Sequence, residues 1–150
     1  MNRKLMFSSK NNKWCTPRDF FIKLNKEFNF TLDPCATERS ALCDKFFTSD
    51  EDGLKQSWKG ERVFCNPPYG REISKWVYKS LAEVCNGCEL VVMLIPARTD
   101  TRYFHDYILG KTEIRFLKGR LKFIDLDFQG DEKDRKVSSA PFPSMLVIYR

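Results

Sequence analysis

The chain contains 150 residues, 42% of them hydrophobic, and its formal net charge is +6 at pH 7. This length suits one domain around one core. No apolar run approaches the roughly 20 residues that cross a bilayer, and the basic N-terminal residues lack the apolar stretch of a secretory signal. We therefore expect a single cytoplasmic domain over residues 1–150, without a membrane, and the positive charge favours a polyanionic partner such as nucleic acid.

The six cysteines are irregularly spaced among enough apolar residues to build a core without disulfides, so we expect reduced thiols. Cys85 and Cys88 form a lone CxxC pair around Asn-Gly, and no second pair or nearby histidine completes a zinc site. We expect a turn there and no metal. The single histidine, His105, is expected on a helix surface rather than in a catalytic triad.

The N-terminal part predicts a helix followed by a strand. Residues 1–13 are polar and are expected to form a loose lead-in. The stretch “TPRDFFIKLNKEF” predicts a helix that is capped by Thr16 and has Pro17 in its first helical position. Its apolar face is formed by Phe20, Phe21, Leu24 and Phe28. A short strand over residues 30–32 then ends at Asp33, so a carboxylate stands directly after the strand.

The middle of the chain alternates strands and helices. Residues 36–62 are rich in charge and predict at most one weak strand. “RVFC” (62–65) predicts a strand, and “ISKWVYKSLAEV” (73–84) places apolar residues at helical spacing. “ELVVMLIP” (89–96) is a continuous apolar run, which is typical of a strand that is covered on both faces in a parallel sheet.

The last third predicts a further helix that begins at Thr99 or Asp100, and then two strands around a Gly-centred turn in “IRFLKGRLKFI” (114–124). A charged loop (131–136) precedes the last strand, “SMLVIYR” (144–150). This alternation predicts a layered α/β fold with right-handed crossovers and helices on both faces of a mostly parallel sheet. The hairpin near the C-terminus makes the sheet mixed.

Asp33 and Asn66 each stand directly after a predicted strand. In an open α/β sheet, ligands bind beyond the carboxyl ends of the strands. We therefore expect the two side chains to face one crevice.

The tetrapeptide Asn66-Pro67-Pro68-Tyr69 has two interpretations. As structure it is a rigid turn, because proline fixes φ and lacks an N–H, and asparagine is a common turn residue. As chemistry, the Asn66 side-chain oxygen and the Pro67 carbonyl accept both hydrogens of an amino group on a base, which makes its nitrogen more nucleophilic. Pro68 holds these acceptors rigid, and Tyr69 stacks on the base. Acceptors that are fixed in advance act where positive charge develops in the transition state, so no tuned general base is required.

The tetrapeptide resembles the catalytic Asp/Asn/Ser-Pro-Pro-Tyr/Phe/Trp motif of amino methyltransferases that use S-adenosylmethionine. Further segments occur in the order “WCTPRDFFIKLNKEFNFTLDPCAT”, “DGLKQSW”, “VFCNPPYG”, “ISKWVYKS”, “MLIPARTDTRYFHDYI”, “LKGRLKF” and “APFPSMLVIY”. This ordered set, over roughly residues 14–149, resembles the phage-type DNA adenine-N6 methyltransferases, the Dam family of phages and prophages.

The resemblance implies a Rossmann-like class I methyltransferase fold, abbreviated at residues 36–62, with S-adenosylmethionine as methyl donor and S-adenosylhomocysteine as product. It implies that Asn66, Pro67, Pro68 and Tyr69 form the catalytic loop. It also implies that the cofactor is bound by Thr16, Pro17, Asp33, Pro34, Cys35 and Asp52. For Asp52, a solvated turn carboxylate in “SDEDG” is an equally open interpretation.

One segment departs from the family pattern. The methyltransferase fold usually follows its first strand with a Gly-rich loop, but “DPCATERS” contains no glycine. Close approach of the backbone to the cofactor is therefore not expected, and the side chains of Asp33 and Thr37 are expected to contribute more.

Five basic residues are candidate DNA contacts. Arg98 and Arg102 follow the longest apolar strand and are placed to meet phosphates. Lys118, Arg120 and Lys122 lie on the predicted hairpin and are candidates on the same electrostatic grounds. Ion pairing within the protein is the alternative for Arg98, and a solvated edge strand is the alternative for the other three.

The residues and the resemblance together predict a site-specific enzyme that methylates N6 of adenine in DNA, after flipping the target nucleotide out of the duplex. Cytosine N4, RNA adenine and a protein amide present the same NH₂ group and remain alternative acceptors. A non-catalytic DNA-binding protein on a methyltransferase scaffold is the alternative from another class. Sequence recognition is assigned to the loops 36–62 or 125–142 or to a second subunit. The oligomeric state is not predicted.

Overall fold

The computed structural model describes residues 14–124 and 138–150. The predicted lead-in (1–13), the charged loop (131–136) and most of the candidate recognition loop 125–142 lie outside the described residues. Within the described part of the chain, no helix is long and apolar enough to cross a membrane.

The described residues form two α-helices and eight strands, with a 3-10 turn at Gly53–Lys55 and a π-helical turn at Phe104–Ile108. The helices are α1 (Arg18–Phe28) and α2 (Ile73–Cys85). The strands are β1 (Leu32–Asp33), β2 (Lys45–Phe46), β3 (Arg62–Cys65), β4 (Leu90–Pro96), β5 (Glu113–Phe116), β6 (Lys122–Phe123), β7 (Ser138–Ser139) and β8 (Ser144–Tyr149). The strand predicted at 30–32 is shorter and begins later, at Leu32, so that Asp33 is its last member.

The strands form a six-stranded sheet in the order β2-β1-β3-β4-β8-β5, and β6 and β7 form a separate pair. β1 to β4 are parallel, whereas β8 is antiparallel to both of its neighbours, β4 and β5. β5 consequently runs in the same direction as β4. The C-terminal ends of β1 to β5 therefore lie together at one end of the sheet, which we call the carboxyl edge. The N-terminal ends of these strands lie at the opposite end, which we call the amino edge. The predicted mixed, mostly parallel α/β fold is confirmed.

The helices cover opposite faces of this sheet, as predicted. All seven residues of β4 are buried. Val91, Met93 and Ile95 pack in the core beneath α2, whereas Val92 and Leu94 pack in the core beneath α1. Successive strand residues point to opposite faces, so two covered faces require the continuous apolar run that the sequence shows.

The predicted C-terminal antiparallel pairing is present, but its partners differ from the prediction. The two strands around the turn at Gly119 do not pair with each other, because β5 pairs with β8 and β6 pairs with β7. All six residues of β8 are buried. A strand that is apolar on both faces is stabilised inside a sheet, and β8 accordingly lies between β4 and β5.

Two predicted helix starts are wrong. Pro17, not Thr16, is the N-cap residue of α1, and no side chain caps this helix. The hydroxyl of Thr16 instead accepts a hydrogen bond from Asn66. Near the π-helical turn, the hydroxyl of Thr101, rather than a side chain of Thr99 or Asp100, accepts a hydrogen bond from the Phe104 backbone N–H at 3.3 Å.

Candidate active site

A cleft that is open to solvent lies at the carboxyl ends of β1 and β3. Three segments form it: the residues before α1, the loop after β1 and the loop after β3. The lining residues are Trp14, Cys15, Thr16, Asp33, Cys35, Ser40, Leu42, Phe64, Asn66, Pro67, Pro68 and Tyr69. The structure thus brings Asp33 and the whole tetrapeptide together in one crevice.

The carboxamide of Asn66 is held by three hydrogen bonds. Its Nδ2 donates to the backbone carbonyl of Trp14 at 2.7 Å and to Oγ1 of Thr16 at 3.1 Å. Its Oδ1 accepts from the hydroxyl of Tyr69 at 2.7 Å. Two of these contacts come from residues about 50 positions earlier in the chain, so the segment before α1 is part of the site.

Tyr69 stands in an aromatic wall of the cleft. The rings of Phe142 and Phe123 meet its ring edge to face, with centroids 5.5 and 6.3 Å away. The Tyr69 hydroxyl also lies 3.2 Å from the Leu94 carbonyl oxygen. Burial raises the pKa of Tyr69 well above its ordinary value, so the hydroxyl remains protonated and acts as a donor toward Asn66.

Asp33 is a buried carboxyl group at the floor of the cleft. Its two oxygens accept hydrogen bonds from the backbone N–H groups of Cys35 (3.4 Å) and Leu42 (3.2 Å). Burial raises the pKa of Asp33 to about 7, although the hydrogen bonds from Leu42 and Cys35 oppose this shift. Burial also raises the pKa of the Cys35 thiol, and Asp33 adds to that effect, so Cys35 is a neutral lining group and not a thiolate nucleophile.

Thr37 and Pro17 are outside the lining, although each is next to it. Thr37 forms a local turn with Ser40: the Ser40 N–H donates to Oγ1 of Thr37 at 3.1 Å, and the two hydroxyls lie 3.0 Å apart. Ser40 lines the cleft and Thr37 does not. The hydroxyl that the structure brings to the cleft from this loop is therefore that of Ser40.

Asp52 and Pro34 also lie behind the lining, where the “DGL” segment packs on the loop after β1. A Cβ at Gly53 would collide with the backbone carbonyl oxygen of Pro34, so glycine is required at this contact. The carboxylate of Asp52 accepts a hydrogen bond from the Leu54 N–H at 3.1 Å and caps the 3-10 turn. In this structure Asp52 holds its own turn beside the cleft.

Several residues of the cleft were not identified from the sequence. Trp14 contributes its backbone carbonyl and Leu42 contributes its backbone N–H. Neither contribution can be inferred from the type of side chain. Ser40 follows the assigned cofactor segment by only a few residues. Phe142, which contacts Tyr69 but is outside the lining, stands between two prolines just before the last strand, and an aromatic residue fixed in this way is the signal that could have indicated the wall around Tyr69.

Comparison with known proteins assigns the chain to a family. The sequence profile described as DNA N-6-adenine-methyltransferase (Dam) matches residues 5–150. The chain belongs to this Dam family. A relative named DNA N-6-adenine-methyltransferase, from Escherichia phage T1, is 30% identical over 124 residues, which are 81% of this chain and 50% of the relative. The chain thus spans about half the length of that relative. The family resemblance inferred from the ordered motifs is confirmed.

The basic candidates of this Dam-family chain are all exposed. Arg98 and Arg102 follow β4, Lys118 and Arg120 follow β5, and Lys122 begins β6. Because β4 and β5 run parallel to β3, four of the five lie at the same edge of the sheet as the cleft. Within residues 14–124 and 138–150, none of the five forms an ion pair, including Arg98, for which pairing was the alternative.

His105 lies exposed in the π-helical turn of the Dam-family chain, as predicted, and its Nε2 is 2.8 Å from the Thr99 carbonyl oxygen. The described residues contain no group of three His, Cys, Asp or Glu side chains that could hold a metal ion. The six cysteines, all of which the structure describes, form no disulfide.

Proposed function

We propose that this chain transfers a methyl group from S-adenosylmethionine to N6 of adenine in DNA. One observation carries the proposal: in a Dam-family chain, the carboxamide of Asn66 and the buried carboxyl of Asp33 share one cleft at the carboxyl edge of the sheet. Ligands of open α/β sheets bind at that edge.

Asn66 and Pro67 are the proposed catalytic groups. The target amine presents two hydrogens, and Asn66 Oδ1 and the Pro67 carbonyl are acceptors on one rigid loop. As the C–N bond forms and the methyl–sulfur bond of the donor would break, the nitrogen gains positive charge, which these acceptors stabilise without prior ionisation. The extra proton on the nitrogen then passes to water in the open cleft. Neither Cys35, with its raised pKa, nor His105, which is exposed and bonded to Thr99, is needed as a base.

The cofactor is proposed to lie in the part of the cleft lined by Thr16, Asp33, Cys35 and Ser40. S-adenosylmethionine supplies an electrophilic methyl group on a cationic sulfonium. The donor set fits such a ligand, because Asp33 offers carboxyl oxygens to ammonium or hydroxyl groups, and the hydroxyls of Thr16 and Ser40 offer further hydrogen bonds. Pro17, Pro34, Thr37 and Asp52 would support the loops around the ligand from behind.

Tyr69 is proposed to receive the adenine after it leaves the duplex. Flipping a base out of the duplex costs a few kcal/mol of free energy. Stacking of the base on an aromatic ring offsets about 1–3 kcal/mol of this cost. Phe142 and Phe123 press their rings against Tyr69 edge to face, which holds its ring in place. Phe142 is thus added to the residues that shape the base pocket.

The DNA backbone is proposed to lie along the carboxyl edge. Arg98, Arg102, Lys118 and Arg120 are exposed there, and Lys122 begins β6 next to them. Phosphate contacts from such residues position the duplex but carry no sequence information. If the chain is phage-encoded, it would act in the cytoplasm of the bacterial host.

The decisive experiment is expression of the chain in a host that lacks adenine methylation, followed by modification-sensitive sequencing of a plasmid and mass analysis of its nucleosides. N6-methyladenine in a fixed sequence context is the expected result. N4-methylcytosine, or methyl transfer to RNA or protein only, would show that the acceptor is not adenine in DNA. DNA binding with no methylated product and no cofactor binding would identify a non-catalytic DNA-binding module instead.

A further inference from the structure

The orientation of the Asn66 carboxamide is determined by the partners of its nitrogen. A carboxamide has one acceptor end and one donor end, and the two can exchange places by a 180° rotation. The backbone oxygen of Trp14, 2.7 Å away, can only accept a hydrogen bond. The Asn66 atom that faces it must therefore be Nδ2, which leaves Oδ1 on the side of Tyr69.

Thr16 reinforces this orientation from the segment before α1. Its Oγ1 lies 3.1 Å from Nδ2 of Asn66 and accepts the second hydrogen of that amide. Both hydrogens of Nδ2 are then engaged, while among residues 14–124 and 138–150 Oδ1 has one partner, the Tyr69 hydroxyl at 2.7 Å. A carbonyl oxygen has two lone pairs, so one remains for an incoming amine.

Burial makes this arrangement costly to disturb. Thr16 is only 7% exposed, and a buried amide hydrogen that loses its acceptor destabilises the arrangement. The same residue is not a helix cap, because α1 begins after Pro17 without any side-chain cap. The hydroxyl of Thr16 is thus directed to Asn66 and not to its own helix.

We infer that Thr16 is a positioning residue for methyl transfer: it fixes the Asn66 carboxamide with nitrogen inward, so that Oδ1 receives the target amine. This inference rests on the proposed function. In the reverse orientation Nδ2 would meet the N–H bonds of the target amine, donor against donor, and the stabilisation of the developing charge would be lost. The family resemblance assigned Thr16 to cofactor binding, so the two roles make different predictions.

The test is Thr16→Val, which keeps the shape of the side chain and removes its hydroxyl. The single-turnover rate of methyl transfer at saturating cofactor is expected to fall about tenfold, the equivalent of one lost hydrogen bond to Asn66, with the cofactor Kd unchanged. Thr16→Ser retains the hydroxyl and is expected to recover most of the rate. Thr112→Val is the matched control, because the Thr112 hydroxyl binds the Ile108 carbonyl outside the cleft at 3.0 Å. If Thr16→Val does not fold, Thr16→Ala removes the same hydroxyl with a smaller side chain.

A second readout is independent of activity. The side-chain amide protons of Asn66, assigned by their disappearance in Asn66→Ala, are followed by NMR exchange with water. Thr16→Val is expected to accelerate this exchange about tenfold, the equivalent of one ordinary hydrogen bond. A parent-like transfer rate in Thr16→Val, or a loss confined to cofactor affinity, overturns the inference. Should the parent chain methylate no acceptor at all, the proposed function fails and the inference fails with it, whereas an active parent with a parent-like Thr16→Val overturns the inference alone.

Discussion

The basic residues that begin β2 and β3 at the amino edge form ion pairs, whereas the basic candidates at the carboxyl edge do not. At the amino edge, Lys45 pairs with Glu61 at 2.7 Å and Arg62 pairs with Glu89 at 3.4 Å. At the carboxyl edge, Arg98, Arg102, Lys118 and Arg120 are exposed and have no ion pair within the described part of the chain. Positive charge that the protein neutralises itself contributes little to a distant phosphate. The potential that attracts DNA is therefore expected at the carboxyl edge, beside the cleft.

The largest expected difference between the edges concerns two asparagines. Asn66→Ala at the carboxyl edge removes the proposed acceptor, and kcat should fall about 10²- to 10³-fold, as for the loss of one preorganised hydrogen-bonding group. Cofactor binding, measured by calorimetry, should persist. Asn86→Ala is the matched control, because Asn86 is exposed at the end of α2 on the amino side. A parent-like rate in Asn66→Ala would contradict the mechanism.

The next largest difference between the edges is expected in DNA binding after basic residues are removed. The double variant Lys118→Ala/Arg120→Ala is expected to weaken DNA binding roughly 10- to 100-fold near 0.1 M salt, and to reduce the slope of log Kd against log salt by about 2. Lys45→Ala removes one charge from the amino edge and should leave both quantities unchanged. Its own effect is confined to the ion pair with Glu61, worth less than about 1 kcal/mol at the surface. Equal weakening by Lys45→Ala would show that DNA does not discriminate between the edges.

The buried carboxyl of Asp33 predicts a pH dependence of cofactor binding. Burial raises its pKa to about 7, so below this pH the free protein holds Asp33 protonated and neutral. A ligand that donates hydrogen bonds or carries positive charge favours the carboxylate and lowers that pKa. Affinity should therefore rise with pH between 5 and 7, by up to about tenfold per pH unit. Asp33→Asn should flatten the profile, whereas Glu61→Gln at the amino edge should not. An unchanged profile in Asp33→Asn would exclude Asp33 as the titrating group.

The smallest expected effect is the one that distinguishes the contribution of the Tyr69 hydroxyl from that of the Tyr69 ring. Tyr69→Ala should lose most methyl transfer while cofactor binding is retained, because the stacking surface is gone. Tyr69→Phe keeps the ring and removes one hydrogen bond to Asn66 Oδ1, which predicts only a two- to tenfold decrease in kcat. Tyr78→Phe, at a residue 56% exposed on α2, is the control. A decrease in Tyr69→Phe as large as that of Tyr69→Ala would assign the main role to the hydroxyl.

Local patterns in the sequence were sufficient to predict the parallel strands of the core and the position of the cleft. The apolar run of β4 requires two covered faces, and both were found. Asp33 and Asn66 follow neighbouring parallel strands, so the shared direction of β1 and β3 brings them to one edge whatever the details of packing. These inferences depend on strand direction and periodicity, which few residues determine.

Contacts between distant segments could not be read in the same way. The local sequence at Thr16 predicts a helix cap, yet the Thr16 hydroxyl accepts a hydrogen bond from Asn66, 50 residues away. The turn at Gly119 predicts that β5 pairs with β6, but β5 pairs with β8, and β6 pairs with β7 in a separate two-stranded sheet. In both cases a tertiary contact took the place of the local one.

The central place of β8 has a consequence for how the protein acquires activity. β3 and β4 are joined through α2 and can pair early, whereas β5 has no neighbour in the sheet until β8 arrives. Phe142, which completes the wall behind Tyr69, comes into position together with that strand. Long-range strand pairing is slow to form, so the pocket for the base is expected to mature after the cofactor side of the cleft.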